Sequence, residues 1–145
     1  MKKIVTWHQD LKPTKWTSWA LCWDLKAAED TIIKSWEIKI VKLGIKTNFA
    51  WKLYSRSSLP IKKGLIIANG VGIIDEDFRH EAGIILYNPT ARDVEIKFWE
   101  RLAQMEVLWW EEWLEILVDK DLFERWEEVS PTERKWWFGS TGGYK

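Results

Sequence analysis

Short apolar runs, each cut off within a few residues by Gly, Asn or Pro, constrain this chain more than any other feature. Leu65-Ile66-Ile67 and Ile84-Ile85-Leu86 are brief and bounded by such residues, as buried strands are. Glu37 to Ile45 alternates in part, with Ile38 and Ile40 on one side and Lys39 on the other. Asp93 to Phe98 alternates again, Val94, Ile96 and Phe98 against Glu95 and Lys97. Turn signals recur at Gly44, Pro60, Gly64, Asn69-Gly70, Gly72 and Asn88-Pro89. Many short strands with regular turns predict an all-β sandwich or barrel. Two segments resist. Ser57 to Lys63 has room for one helical turn. Met105 to Val129 is rich in Leu, Trp and Glu, lacks Pro and Gly, and reads as an amphipathic helix. From Ser130 the chain reads as a mobile arm.

Composition narrows the class. A length of 145 residues suits one domain, residues 1–145, with 130–145 as its C-terminal arm. Apolar residues make up 46%, enough for a core. Lys plus Arg equals Asp plus Glu at 22 each, which argues against a broad nucleic-acid or anionic-membrane footprint. The single cysteine, Cys22, excludes an internal disulfide framework and fits a reducing compartment. No signal peptide and no membrane-length apolar run is visible, so the expectation is a soluble, cytoplasmic protein with no membrane partner.

Three stretches carry chemistry. In Gly72-Ile73-Ile74-Asp75-Glu76-Asp77-Phe78-Arg79, a strand or hairpin puts Asp75 and Asp77 on one face and Glu76 on the other. Such a carboxylate can activate a water or hold a metal, but alone the run reads more readily as a solvated hairpin tip. Ser55-Arg56-Ser57-Ser58-Leu59 sets one fixed positive charge beside hydroxyls, a combination that suits a phosphate chain. Phe138-Gly139-Ser140-Thr141-Gly142-Gly143 offers an aromatic face, then small residues whose N–H groups can wrap phosphate oxygens. Arg101 and Gln104 add a charged and a neutral donor.

Together these stretches resemble the five motifs of the trimeric dUTPase family, in order, from about Thr17 to Tyr144. They are Ala20–Leu25, Ser55–Leu59, Gly72–Arg79 preceded by Asn69, Glu100–Met105, and Glu133-Arg134 followed by Phe138–Gly142. The resemblance implies a small jelly-roll-like β-barrel, a homotrimer with active sites shared between subunits, and hydrolysis of dUTP to dUMP and pyrophosphate. Such a reaction lowers dUTP and supplies dUMP for thymidylate synthesis. Asp75 would be the general base for a water attacking the α-phosphorus. Phe78, where the family usually has Tyr, would pack under deoxyribose and reject a 2′-hydroxyl. Asn69 and the backbone from Gly72 through Ile74 to Phe78 would read uracil. Arg56, Ser57, Ser58, Arg101 and Gln104 would hold the phosphates. Arg134, Gly139, Ser140 and Thr141 would close over them while Phe138 stacks on uracil. Mg2+ would bridge the phosphates, held mainly by substrate and water. Asp24 would serve its outer shell or steady Arg56. Two other readings stay open: a dCTP deaminase, which shares a Ser-Arg-Ser-Ser-Leu-like motif, and a non-catalytic nucleotide-binding relative.

The departures are informative. His80 stands where Gly is usual and reads as an exposed turn residue; His8 reads as solvent-facing and Cys22 as a small buried side chain. The chain has 13 Trp and 8 Gly. Trp36, Trp99, Trp136 and Trp137 stand where the family commonly has Gly. Trp109-Trp110, Trp113 and Trp126 also become ordinary turn residues if read as Gly. The expectation is that some or all are glycines in the natural protein, through a UGA codon read with the wrong table. A bulky residue in a left-handed turn is strained by about 1–3 kcal/mol. With Trp kept, Met105–Val129 leans helical; with Gly it breaks into strands and turns. The chain as written is expected to trimerise poorly or turn over slowly.

Overall fold

A computed structural model describes residues 1–134. The chain runs β1 (Lys2–Thr6), β2 (Trp23–Lys26), β3 (Thr31–Ile33), β4 (Ile38–Lys42), β5 (Ile45–Thr47), β6 (Trp51–Ser55), β7 (Ile66–Ile67), β8 (Gly72–Ile74), β9 (Gly83–Tyr87), β10 (Val94–Ile96), β11 (Arg101–Val107) and β12 (Leu114–Val118). Two short helices follow, α1 (Lys120–Glu124) and α2 (Trp126–Val129). A 3₁₀ turn spans Gln9–Leu11 and a π-helical turn spans Leu59–Lys63, the latter within the stretch expected to hold a helical turn.

The strands form four sheets ordered β12-β1-β5, β10-β3, β2-β11-β6-β8 and β4-β9-β7. All described pairings are antiparallel except β1 with β12. One core draws on every sheet: Ile4 and Ile45, Ile33 and Ile96, Leu25, Met105, Leu53 and Ile74, and Val41, Ile84 and Leu86. The fold is all-β, as the turn pattern predicts, and jelly-roll-like, as the family resemblance implies. A smaller cluster of Val5, Phe123 and Trp126 seals the helices against β1.

Two expectations change. Met105–Val129 is not one helix even with its tryptophans in place, and only its end, Lys120–Glu124 and Trp126–Val129, is helical. Its first part continues β11, which pairs with both β2 and β6, and Leu114–Val118 pairs with β1. Long-range pairing overrides local helical period here. Asp119 then caps α1, its carboxylate accepting the Leu122 N–H at 2.9 Å. Second, Gly72–Phe78 is not a hairpin. β8 pairs with β6, a tight turn follows with the Phe78 N–H on the Asp75 carbonyl at 3.1 Å, and β9 joins the other sheet.

The tryptophans divide. Trp51 and Trp126 are 1% and 2% exposed. Both indole N–H groups bond Thr47, one to its hydroxyl and one to its carbonyl, each at 3.0 Å. Trp126 is therefore a core residue and not a turn glycine in disguise. Trp36, Trp99 and Trp109 have φ of 66°, 74° and 67°, the non-glycine left-handed residues among those described.

Candidate active site

A row of side chains crosses three strands of the largest sheet. Asp24 on β2 lies opposite Gln104 on β11, and Gln104 lies opposite Tyr54 on β6. Directly opposed residues share a face, so this row floors a cleft of about 550 Å³. Arg56 and Ser57 leave the end of β6 into it, and Trp16, Ala20, Leu21 and Cys22 close it. Arg56 Nε sits 3.2 Å from Asp24 Oδ1. The carboxylate is nearly buried, so the pair holds the guanidinium in one orientation with other donors free to face an anion. Gln104 donates to the Ser55 carbonyl at 3.0 Å, which fixes its amide. The cleft thus combines a steadied guanidinium, a hydroxyl and an amide, a set suited to phosphate oxygens.

Ser58 lies just outside, in an adjoining groove with Arg56, Lys62, Lys63 and Glu100. Arg101 is not in the cleft wall. Its guanidinium stacks over the Trp16 ring at 5.8 Å, and it lines a shallow recess with Lys97, Phe98, Trp99 and Glu100.

The acidic turn is a second cluster. Asp75 and Asp77 both reach Arg134, whose Nη1 lies 2.6 Å and 3.0 Å from them. Glu76 points elsewhere, into a recess beside Phe49 and Trp109. Phe78 is 4% exposed, with the His80 ring edge-on and the Arg134 guanidinium over its face at 5.6 Å. Gly72 is buried against Leu53, where a Cβ would come within 2.9 Å of the leucine Cβ. Ile74 is buried and Asn69 is exposed on the turn after β7. Phe138, Gly139, Ser140 and Thr141, with Trp136 and Trp137, lie outside the described residues.

One chain does not bring the two clusters together. β6 and β8 are antiparallel, with Trp51 opposite Ile74 and Leu53 opposite Gly72. Asp75 therefore lies beyond the Trp51 end of β6, and Arg56 beyond its Ser55 end. At about 3.4 Å per residue the strand separates them by roughly 17 Å or more.

Several side chains depart from expectation. Cys22 is half-buried in the cleft wall; burial and the nearby Glu106 and Asp24 push its thiol pKa up, which disfavours a nucleophilic thiolate. His80 is not an exposed turn residue: its Nδ1 lies 2.9 Å from Glu127. His8 is half-buried between the Trp7 and Phe98 rings, and its Nδ1 accepts the Asp10 N–H. Tyr54 and its acceptor Glu106 were not singled out by the sequence. The signal was there, since Tyr54 alternates with the inward Leu53 and so shares a face with Gln104.

An all-β fold with a hydroxyl-and-guanidinium cleft defines a class of β-protein whose cleft chemistry suits a phosphate chain. The dUTPase family profile matches residues 12–126. A deoxyuridine 5'-triphosphate nucleotidohydrolase of Nautilia profundicola is 36% identical over 146 residues, covering 97% of each chain. One of Candida albicans is 36% identical over 136 residues, covering 90% of this chain and 80% of that one. The crystal structure of a dUTPase from Streptococcus mutans superposes with a TM-score of 0.66 at 33% identity, covering 68% of this chain and 85% of that one. The chain belongs to the dUTPase family.

Proposed function

We propose that the protein hydrolyses dUTP to dUMP and pyrophosphate at sites completed between copies in a homotrimer. One observation carries the shared-site reading: the cleft with Arg56 and Gln104 and the turn with Asp75 stand at opposite ends of β6 in a single chain. A second copy supplies the missing half.

The proposed chemistry follows from the groups present. Arg56, Ser57 and Gln104 bind the phosphate chain, with Ser58 and Arg101 beside it. Asp75 orients a water and takes its proton as the oxygen attacks the α-phosphorus. The bond from that phosphorus to the bridging oxygen breaks, and pyrophosphate leaves with the electron pair. Positioning and charge neutralisation carry the rate. Asn69, Gly72 and Ile74 are assigned to uracil and the Phe78 ring to deoxyribose. The described residues contain no group of three or more His, Cys, Asp or Glu arranged to hold a metal ion. A Mg2+ ion would be held mainly by the nucleotide's phosphates and water, with Asp24 engaged on Arg56. When bound, the ion neutralises charge on the phosphate chain. No helix of the described residues is long and apolar enough to cross a membrane, and a cytoplasmic setting fits the lone thiol.

The test is pyrophosphate release from dUTP, with dCTP, dTTP and UTP as controls. Hydrolysis of dUTP alone is expected. Asp75→Asn should lower kcat by about 10²–10⁴-fold, the usual contribution of a general base. Ammonia release from dCTP, or analogue binding without turnover, would overturn the reading.

A further inference from the structure

Arg134 does not face the phosphate cleft. It rests on the acidic turn, held by Asp75 and Asp77 and lying over Phe78. The chain leading to it is fastened to the same turn. Thr132 Oγ1 donates to the Asp77 carbonyl at 3.0 Å. Arg79 Nε donates to the Ser130 carbonyl at 2.8 Å and hydroxyl at 3.0 Å. Yet Arg134 Nε is buried with no hydrogen-bond partner. Its guanidinium is therefore held firmly and satisfied incompletely.

We propose that Asp77 is a positioning residue that parks Arg134 on the acidic turn between turnovers. The inference rests on the dUTP reading above and assigns a regulatory step to the same site. Parked there, the cation covers the Phe78 face meant for the sugar and engages the Asp75 carboxylate meant for the water. An entering triphosphate presents more negative charge than two half-exposed carboxylates and offers acceptors to the unsatisfied Nε. Arg134 then leaves the turn for the phosphates, which frees Asp75. Asp77 reacts with nothing; it sets how much binding energy the nucleotide must spend to move Arg134.

The test compares Asp77→Asn with Glu76→Gln, which removes an adjacent charge that does not touch Arg134. In nucleotide-free protein, tryptic cleavage after Arg134 is followed by peptide mass. Asp77→Asn is expected to speed it roughly three- to tenfold, the scale of one partly exposed charge-assisted contact, while Glu76→Gln leaves it unchanged. In the dUTP assay, Asp77→Asn should lower KM by a similar factor with kcat within about twofold. An unchanged cleavage rate, a raised KM, or equal effects of the two variants would overturn the proposal. Absence of dUTP turnover in the unsubstituted protein would instead defeat the functional reading, and the cleavage experiment would still decide the parking.

Backbone geometry carries a second inference. Trp36 is the third residue of a turn closed by the Glu37 N–H on the Lys34 carbonyl at 2.9 Å. Trp99 is the third residue of a turn closed by the Glu100 N–H on the Lys97 carbonyl at 3.1 Å. With φ positive, that turn position calls for glycine. Trp109 shares the positive φ, 67°, which favours glycine in any turn. All three side chains are exposed, so little burial offsets the strain. We infer that glycine is the natural residue at 36, 99 and 109, encoded by UGA, whereas Trp51 and Trp126 are genuine. The coding DNA and the peptide masses of protein from its source decide this. UGA at those three codons with glycine masses is expected, against UGG at 51 and 126. UGG or a tryptophan mass at the three would overturn it.

Discussion

At the scale of single residues, two kinds of tryptophan make opposite predictions. Trp36→Gly, Trp99→Gly and Trp109→Gly should each stabilise the written chain by about 1–3 kcal/mol, the release of left-handed strain at an exposed site. Trp126→Gly should cost roughly 3–5 kcal/mol, because it empties a filled site and removes a buried hydrogen bond to the Thr47 carbonyl. Urea unfolding of the four variants checks both signs. The glycine-like character of 36 and 99 was legible through the family resemblance, which has glycine at those motif positions, and the positive φ at both agrees with it. Trp126 was misread because its partner, Thr47, is 79 positions away.

At the scale of elements, a half-buried carboxylate joins two of them. Glu81, just before β9, accepts the Gly44 N–H at 2.9 Å from the turn between β4 and β5. Burial holds its carboxyl above the ordinary range, outweighing the nearby Lys42 and Lys46. The folded state therefore binds this proton more tightly than the unfolded chain. The stability so linked is full below the unfolded pKa and is lost as pH rises through the folded one. Glu81→Gln should accordingly be more stable than the unsubstituted protein at pH 7, and the gap should close as pH falls through the carboxylate range; thermal unfolding against pH checks this. The short strands were readable from their turn residues. Their faces were less so. Ile38 and Ile40 do share a side, but it is the outer side of β4, exposed beside Ile66, while Val41 enters the core. Period-2 alternation shows that two faces differ without saying which one the molecule covers.

At the scale of the whole molecule, the roughly 17 Å that β6 puts between Arg56 and Asp75 yields a mixing experiment. Arg56→Ala and Asp75→Asn should each be nearly inactive alone. Unfolded together and refolded, the two should recover about a quarter of normal activity, since a site built from two chains has independent even odds of receiving each intact half. No recovery in mixed oligomers would show that each site draws both groups from one chain. By itself the sequence determined the inventory: an all-β chain, an arginine–serine stretch, a carboxylate turn and left-handed turn positions. Each of these is a property of neighbours within a few residues. Only the tertiary structure decided that Asp24 steadies Arg56, that Arg134 rests on Asp75 and Asp77, and that Met105–Val107 and Leu114–Val118 pair as strands. Those outcomes depend on which strands meet and in what register, and pairing across dozens of residues is a balance of the whole core that no local pattern contains.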